Sequence, residues 1–496
     1  MSLFALCPGQ ARIFLAVLGL CAFGGLVGCG AGYRPVISPI NPSGPGSQPN
    51  SFAAVVSTPS PTSAGVVTVI DYAGDTIVAQ APIGPNPTSF SLDETGGNGY
   101  TVNSDGTITN FPISSQLQQK FVQYTTLPTT ANVVNLFSPS ATLWASDLSG
   151  NASDVLTGIP ATFKLAVPVA STPLLVMGPA VLGQRNYAIT QGFNDASGVT
   201  CNMAPRSVGS LGEADAIETN TYTVSARIPL GKCPVYAVQS SDARRLFVLN
   251  RGDDTVTVIN SQNNTLDACT PFENQDGQLV TCHPSLPLST SAGLTGANVP
   301  SVAGPVYAEY NGITQQLVVA NYDGGTVSVI DVSLDVYGND SPTFGTTFTI
   351  PVGANPASVT VLNDGSRAYT ANQADGTVSV VNLSSHTLTK TLPVNGHPRT
   401  VVSTQNSIFG KVYAASPDSP YLTIIRTDQD IIDATVLIQG NIVDVRTSSQ
   451  DGNRGNANVV SRKPGFGQPC NLPPKVLADA GIPTPTYDQC QLQTIP

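Results

Sequence analysis

Few residues in this chain could do acid–base or metal chemistry. Its histidines are three, His283, His386 and His397. His397 stands in LPVNGHP just before Arg399, where the chain must leave one strand and enter the next. His386 lies in the polar turn SSHT and is expected to point to solvent. His283 follows Cys282 and is expected to belong to a pinned insertion. A general acid–base site or a zinc site needs such groups gathered at one point, and no local cluster of His, Asp or Glu does that. There is no G-x-S-x-G elbow, no H-E-x-x-H, no Walker-type loop and no EF-hand pattern. The sequence therefore assigns no catalytic residue, no metal site and no cofactor. A hydrolytic site at the mouth of a central channel, with His397 as its base, stays open as the alternative.

Cysteines are the next reactive group. Of nine, Cys7 and Cys21 lie in an apolar N-terminal stretch and Cys29 just after it. Cys201, Cys233, Cys269, Cys282, Cys470 and Cys490 remain. Six thiols allow fifteen connectivities, and pairing of sequence neighbours predicts 201–233, 269–282 and 470–490. Each would pin an irregular segment, at about 3 kcal/mol for a short loop. Metal ligation is the competing use, without any C-x-x-C or C-x-x-C-H motif to support it.

The N-terminus reads as an export signal. Arg12 precedes the apolar run Ile13 to Val27, too short for a comfortable membrane span. It leads into LVGC, Leu26 to Cys29, which resembles a bacterial lipobox. That resemblance implies cleavage before Cys29 (1–28 being the signal) and a lipid on its sulfur. Gly30, where Asp would imply inner-membrane retention, points to the outer membrane. An ordinary signal peptide with an incidental cysteine is the alternative. Residues 29–50, rich in Pro, Ser and Gly, read as a tether. The folded region is expected at 51–449 and an irregular tail at 450–496.

Composition bounds the fold. Charged residues are 11%, aromatics 6% and apolar residues 41%, with 46 Gly and 40 Pro. Few charges with many turn formers and β-branched residues indicate an all-β protein. A net charge of −11 argues against a nucleic-acid partner, which would require a basic face.

The elements that would position any site are repeated. One phrase is strand, polar turn, strand: VLNRGDDTVTVIN (248–260), VANYDGGTVSVID (319–331) and TANQADGTVSVVN (370–382), with weaker copies at 100, 143 and 412. Asn, Asp and Gly tolerate left-handed backbone, so these are hairpins. The other phrase ends a strand in Pro and reaches a second Pro: APIGPNP, IPLGKCP, IPVGANP and LPVNGHP, with VPVASTP as a variant. The phrases alternate in units of roughly 40 to 50 residues with about four short strands each, the signature of β-propeller blades. TVSVI is apolar on both faces, which suits a blade wedged between blades; an open solenoid is the structural alternative. Units begin near 88, 132, 173, 234, 305, 356 and 398. NIVDVRTSS (441–449) would supply the innermost strand missing before residue 83, giving eight blades closed by a composite one. The count falls to seven if the irregular unit 173–229, with an insertion over 191–220, is no blade. A second insertion spans 266–298.

These phrases resemble the YVTN-type β-propeller repeat of exported bacterial and archaeal surface proteins, most strongly from 245 to 400. The resemblance implies a propeller and leaves activity open. It also implies that the hairpins and the Pro loops share one face. That face would gather Lys232, Asn250, Arg251, Asp253, Asn321, Asp323, Asn372, Asp375, His397 and Arg399 as a candidate binding surface. The structural reading of its Asn and Asp residues is that they simply make turns. The expected function is a lipid-anchored, cell-envelope scaffold, periplasmic or surface-exposed, for a protein, glycan or cell-wall partner. A periplasmic lactonase-like hydrolase and an accessory subunit of a larger envelope assembly are the alternatives.

Overall fold

The computed structural model is an eight-bladed, all-β propeller with, among the described residues, one short 3-10 turn at Gln119–Phe121. Residues 52–448 are described, except 94, 129–130, 140–141, 159, 171–172, 179–183, 192–210, 275–276, 289–302, 336–337, 405–406 and 408–409. The expected signal, Cys29 with its expected lipid, the expected tether and tail, and Cys201, Cys470 and Cys490 lie outside the described residues.

Each blade is an antiparallel meander numbered here from its innermost strand outward. Blade 1 runs from Pro87–Leu92 to Gln123–Thr126, blade 2 from Val133–Phe137 to Thr162–Pro168, and blade 3 from Pro173–Met177 to Thr223–Lys232. Blade 4 begins at Pro234–Gln239, blade 5 at Pro305–Asn311, blade 6 at Pro356–Val361 and blade 7 at Thr400–Ser403. Blade 8 joins the two ends of the folded region. Its innermost strand Asn441–Thr447 pairs with Phe52–Thr58, which continues into Ala64–Asp71 and Ile77–Pro85. Val55 opposes Val445, and Ser448 N–H donates to Phe52 O at 2.9 Å.

The two-sided strands explain the ring. In Thr326–Asp331, Val327 and Ile330 are both fully buried although they face opposite neighbours. Burial of one such side chain is worth about 1.5–3 kcal/mol, and a lone blade can bury neither face. Proline opens the innermost strand of blades 1, 3, 4, 5 and 6, where a missing N–H costs no ladder bond.

Two expectations are corrected. The stretch 191–220 is not wholly an insertion, because Leu211–Glu218 is the third strand of blade 3, pairing with Arg185–Thr190. Its sequence LGEADAIE carries acids where other blades carry Thr and Val, which hid it. The second insertion, 266–298, also supplies part of its blade. The outer strand of blade 4 is split into Thr265–Leu266 and Ser285–Pro287, both pairing with Thr255–Asn260. Between the halves the chain leaves the sheet as a small hairpin, Phe272–Glu273 against Leu279–Val280, closed at its base by the Cys269–Cys282 disulfide. Cys233 is also disulfide-bonded.

The ring has two faces. Hairpins between second and third strands, and the loops from each blade to the next, form the upper face. On the lower face four cations at the start of second strands reach into the neighbouring blade. Arg185 Nη1 donates to Ser261 O, Arg245 Nη2 lies 3.6 Å from Asp340, Arg367 Nη1 is 2.6 Å from Asp430, and Lys411 Nζ is 2.5 Å from Asp75. Phe52 and Ser448 leave on this lower face as well.

Candidate functional site

The upper face is built by the two repeated phrases acting on each other. Asn321 Nδ2 donates to Thr326 Oγ1 at 3.0 Å and to Ser328 Oγ at 2.8 Å. Asn250 does the same with Thr255 and Thr257, Asn372 with Thr377 and Ser379, and Asn103 with Thr107 and Thr109. All four asparagines are buried. The glycine of the other phrase then lies on top. Gly353 N–H donates to Ser379 Oγ and Gly84 N–H to Thr109 Oγ1. A Cβ on Gly84 would sit 2.1 Å from Asn103 Nδ2, and one on Gly353 2.6 Å from Asn372 Nδ2. The hairpin acids complete the joint by accepting backbone N–H groups of the same loops: Asp253 from Lys232, Asp375 from Ala354 and Asp418 from His397. For Asn250, Asn321 and Asn372 the turn-forming role accounts for the geometry.

The charged members of the expected face are divided among joints rather than brought to one centre. Arg251, buried on blade 4, makes a two-pronged pair with Asp323 on blade 5, at 3.0 and 2.9 Å, and its guanidinium lies over the Tyr322 ring. Arg399 is buried and donates to Val443 O of blade 8. Lys232 is half-buried, and Asp375 is exposed.

His397 differs from them. Its side chain is 61% exposed, and Nδ1 lies 2.5 Å from Asp418 Oδ2. Burial alone would raise the Asp418 carboxyl, but the backbone and ring bonds from His397 outweigh it and hold the carboxyl below its ordinary value. An ionised Asp418 keeps the proton on Nδ1 of the neutral ring and leaves Nε2 as the basic nitrogen. Asp418 was not visible as a partner because it lies 21 residues downstream. Its counterpart Asp375 beside Ala354 gave the signal, since the repeat places both at one position.

The other histidines are structural. His386 is half-buried: it stacks on Phe348 with ring centres 3.7 Å apart, and burial lowers its pKa. His283 belongs to the pinned insertion as expected. Its Nδ1 lies 2.9 Å from Asp340 Oδ2 and its ring stacks on Phe344 of blade 5. Arg245 joins the same Asp340 to Asp267, so both feet of the insertion rest on one buried cluster.

Blades 2 and 3 depart from the scheme in a way that pattern reading missed. Asp147 stands where Asn321 does, Asp154 where Ser328 does, and Asp215 takes the hydroxyl's place in blade 3, accepting from Ala170 N–H. Aligning the repeats on their hairpins exposes all three. Among the described residues no group of three or more His, Cys, Asp or Glu is arranged to hold a metal. An open, mostly apolar groove of about 410 Å³ lies at the upper edge of blade 8, lined by Pro59, Val66, Pro82 and Gln439 among others.

Solved structures share this architecture. AztD from Citrobacter koseri, in its apo form, superposes with a TM-score of 0.54 at 12% identity over 80% of this chain and 97% of its own. The dihydro-heme d1 dehydrogenase NirN in complex with DHE gives 0.51 at 13% identity over 82% and 77%. Sqt1 of Saccharomyces cerevisiae gives 0.50 at 10% over 76% and 95%. The likeness is one of fold. No known family profile matches the sequence, and no curated protein does.

Proposed function

We propose that the protein is a YVTN-like propeller, lipid-anchored through Cys29 at the outer membrane, that works as a non-catalytic scaffold for a protein, glycan or cell-wall partner. The observation that supports this most is the excursion from blade 4. A rigid ring carries a hairpin stapled by Cys269–Cys282 and braced on blade 5 through His283, and that hairpin holds Phe272 and Leu279 in solvent at 42% and 68% exposure. Loops fixed to a stiff scaffold are the usual place for recognition, and a pre-ordered loop loses less entropy on binding. Cross-linking in intact cells, comparing the native protein with a Phe272→Ser, Leu279→Ser double variant, tests it. Loss of one dominant cross-linked species in the variant supports the reading. An unchanged pattern moves recognition to another surface, and no reproducible species in either form removes the scaffold role.

The hydrolase alternative is favoured by one observation, the exposed imidazole of His397 held by Asp418. As a general base, Nε2 would activate water against a lactone carbonyl. Turnover abolished by His397→Ala would support it, and turnover that survives the change would exclude His397 as the base.

A further inference from the structure

The acid pair in blade 2 is placed to respond to pH. In blades 1, 4, 5 and 6 an asparagine amide lies 2.7–2.8 Å from the hydroxyl of a residue on the third strand, facing the preceding blade. The registers Ala145↔Asp154 and Asp147↔Ala152 put two carboxyl groups at those same stations. Ala152 stands where Thr326 does in blade 5 and offers no hydroxyl. Asp147 and Asp154 are 7% and 2% exposed. An amide and a hydroxyl satisfy each other, whereas two carboxylates can do so only with a proton between them.

We infer that Asp147 and Asp154 share one proton and act as a pH-sensitive clasp at the joint of blades 1 and 2, closed in mild acid and loosened toward alkaline pH. The division of roles follows from the hydrogen bonds. Asp147 Oδ1 accepts from Asn132 N–H at 2.7 Å and from both the N–H and the hydroxyl of Ser149, at 3.0 and 2.8 Å. With three donors already on Asp147 Oδ1, the shared proton is assigned to Asp154. Burial, with the charge of Asp147 adding to it, pushes Asp154 up to about 6.

The surroundings supply no compensating cation among the described residues. Asp147 is the charged group that acts on Asp154. From blade 1 Tyr100 packs into the same joint, and burial raises its phenol. Lys164 on the outer strand of blade 2 turns to Tyr222 of blade 3, 3.0 Å from its hydroxyl. Asp215 belongs to the next joint, between blades 2 and 3.

The sign follows from linkage. A carboxyl whose folded pKa lies above its unfolded one adds stability that is complete below 3.8 and lost as pH rises through about 6. Full ionisation amounts to about a hundred-fold in the equilibrium constant. It also puts a second negative charge beside Asp147, the group that holds Asn132 on the upper face. This goes beyond the scaffold reading and stands or falls apart from it.

The test compares thermal unfolding of the native protein with an Asp147→Asn, Asp154→Thr variant, which rebuilds the amide–hydroxyl pair. Between about pH 5 and pH 7.5 the native Tm should fall by about 1–2 °C more than that of the variant. Infrared difference spectra should show a protonated carboxyl band at the lower pH that Asp154→Asn removes, a readout that needs only the single isosteric change. Equal pH slopes, or a band that Asp154→Asn leaves undiminished, would overturn the clasp.

Discussion

A buried asparagine amide with two hydroxyl acceptors is the smallest repeated device in this molecule. Asn321→Ala should lower stability by about 1–3 kcal/mol, because Thr326 and Ser328 would keep buried hydroxyls with a bond removed. Urea unfolding measures it, and a loss below a few tenths would mean that the amide is not what locks the hairpin. These asparagines were legible in the sequence as turn residues, since the Asn-x-x-x-Gly-Thr of Asn321 and Asn372 is local. What they bond was legible only in part, because the glycine that covers Asn372 is Gly353, contributed by the preceding loop. His397 was singled out from its loop, yet its carboxylate comes from the next hairpin. Contacts between units leave no mark in a short window of sequence.

Among elements, the joints between blades matter more than the blades themselves. Lys411 and Asp75 form a buried pair on the lower face, with side chains 10% and 0% exposed. Burial outweighs the pull of Lys411 and raises the Asp75 carboxyl. Lys411→Met should therefore cost about 3–5 kcal/mol at neutral pH by stranding a buried charge. The double change Lys411→Met, Asp75→Asn should restore most of it. In acid the single variant should recover, as Asp75 takes up a proton above its ordinary value of 3.8. Equal losses for single and double variants would show that the pair does not couple blades 7 and 8. At this scale the strands that alternate with hairpin phrases could be placed from sequence alone. Leu211–Glu218 could not, because Glu213 and Asp215 replace the hydroxyls that mark a third strand. Nor could the split outer strand of blade 4, since halves of two and three residues carry too little pattern to be seen.

For the whole molecule, eight blades and a composite closure were foreseen from the repeat and from the unmatched strands at the two ends. The reason is energetic. Phe52–Thr58 with no inner partner would present an open edge toward the axis, and such an edge recruits other chains. A chain ended at residue 440 should accordingly run as oligomers or aggregates in size-exclusion chromatography, where the intact ring runs as one species. A monomeric, equally stable truncation would show that the last strand is dispensable.

The direction of that closing ladder has a mechanical meaning. Phe52 and Ser448 sit side by side at one end of it, so tension drawing the two chain ends apart loads the pairs from Ala53↔Thr447 onward in succession. Bonds loaded in turn open like a zipper, at far less force than the same bonds sheared together. The ring is thus strong against heat, which must disrupt every joint, and weak against a pull applied at the one seam where its ends meet.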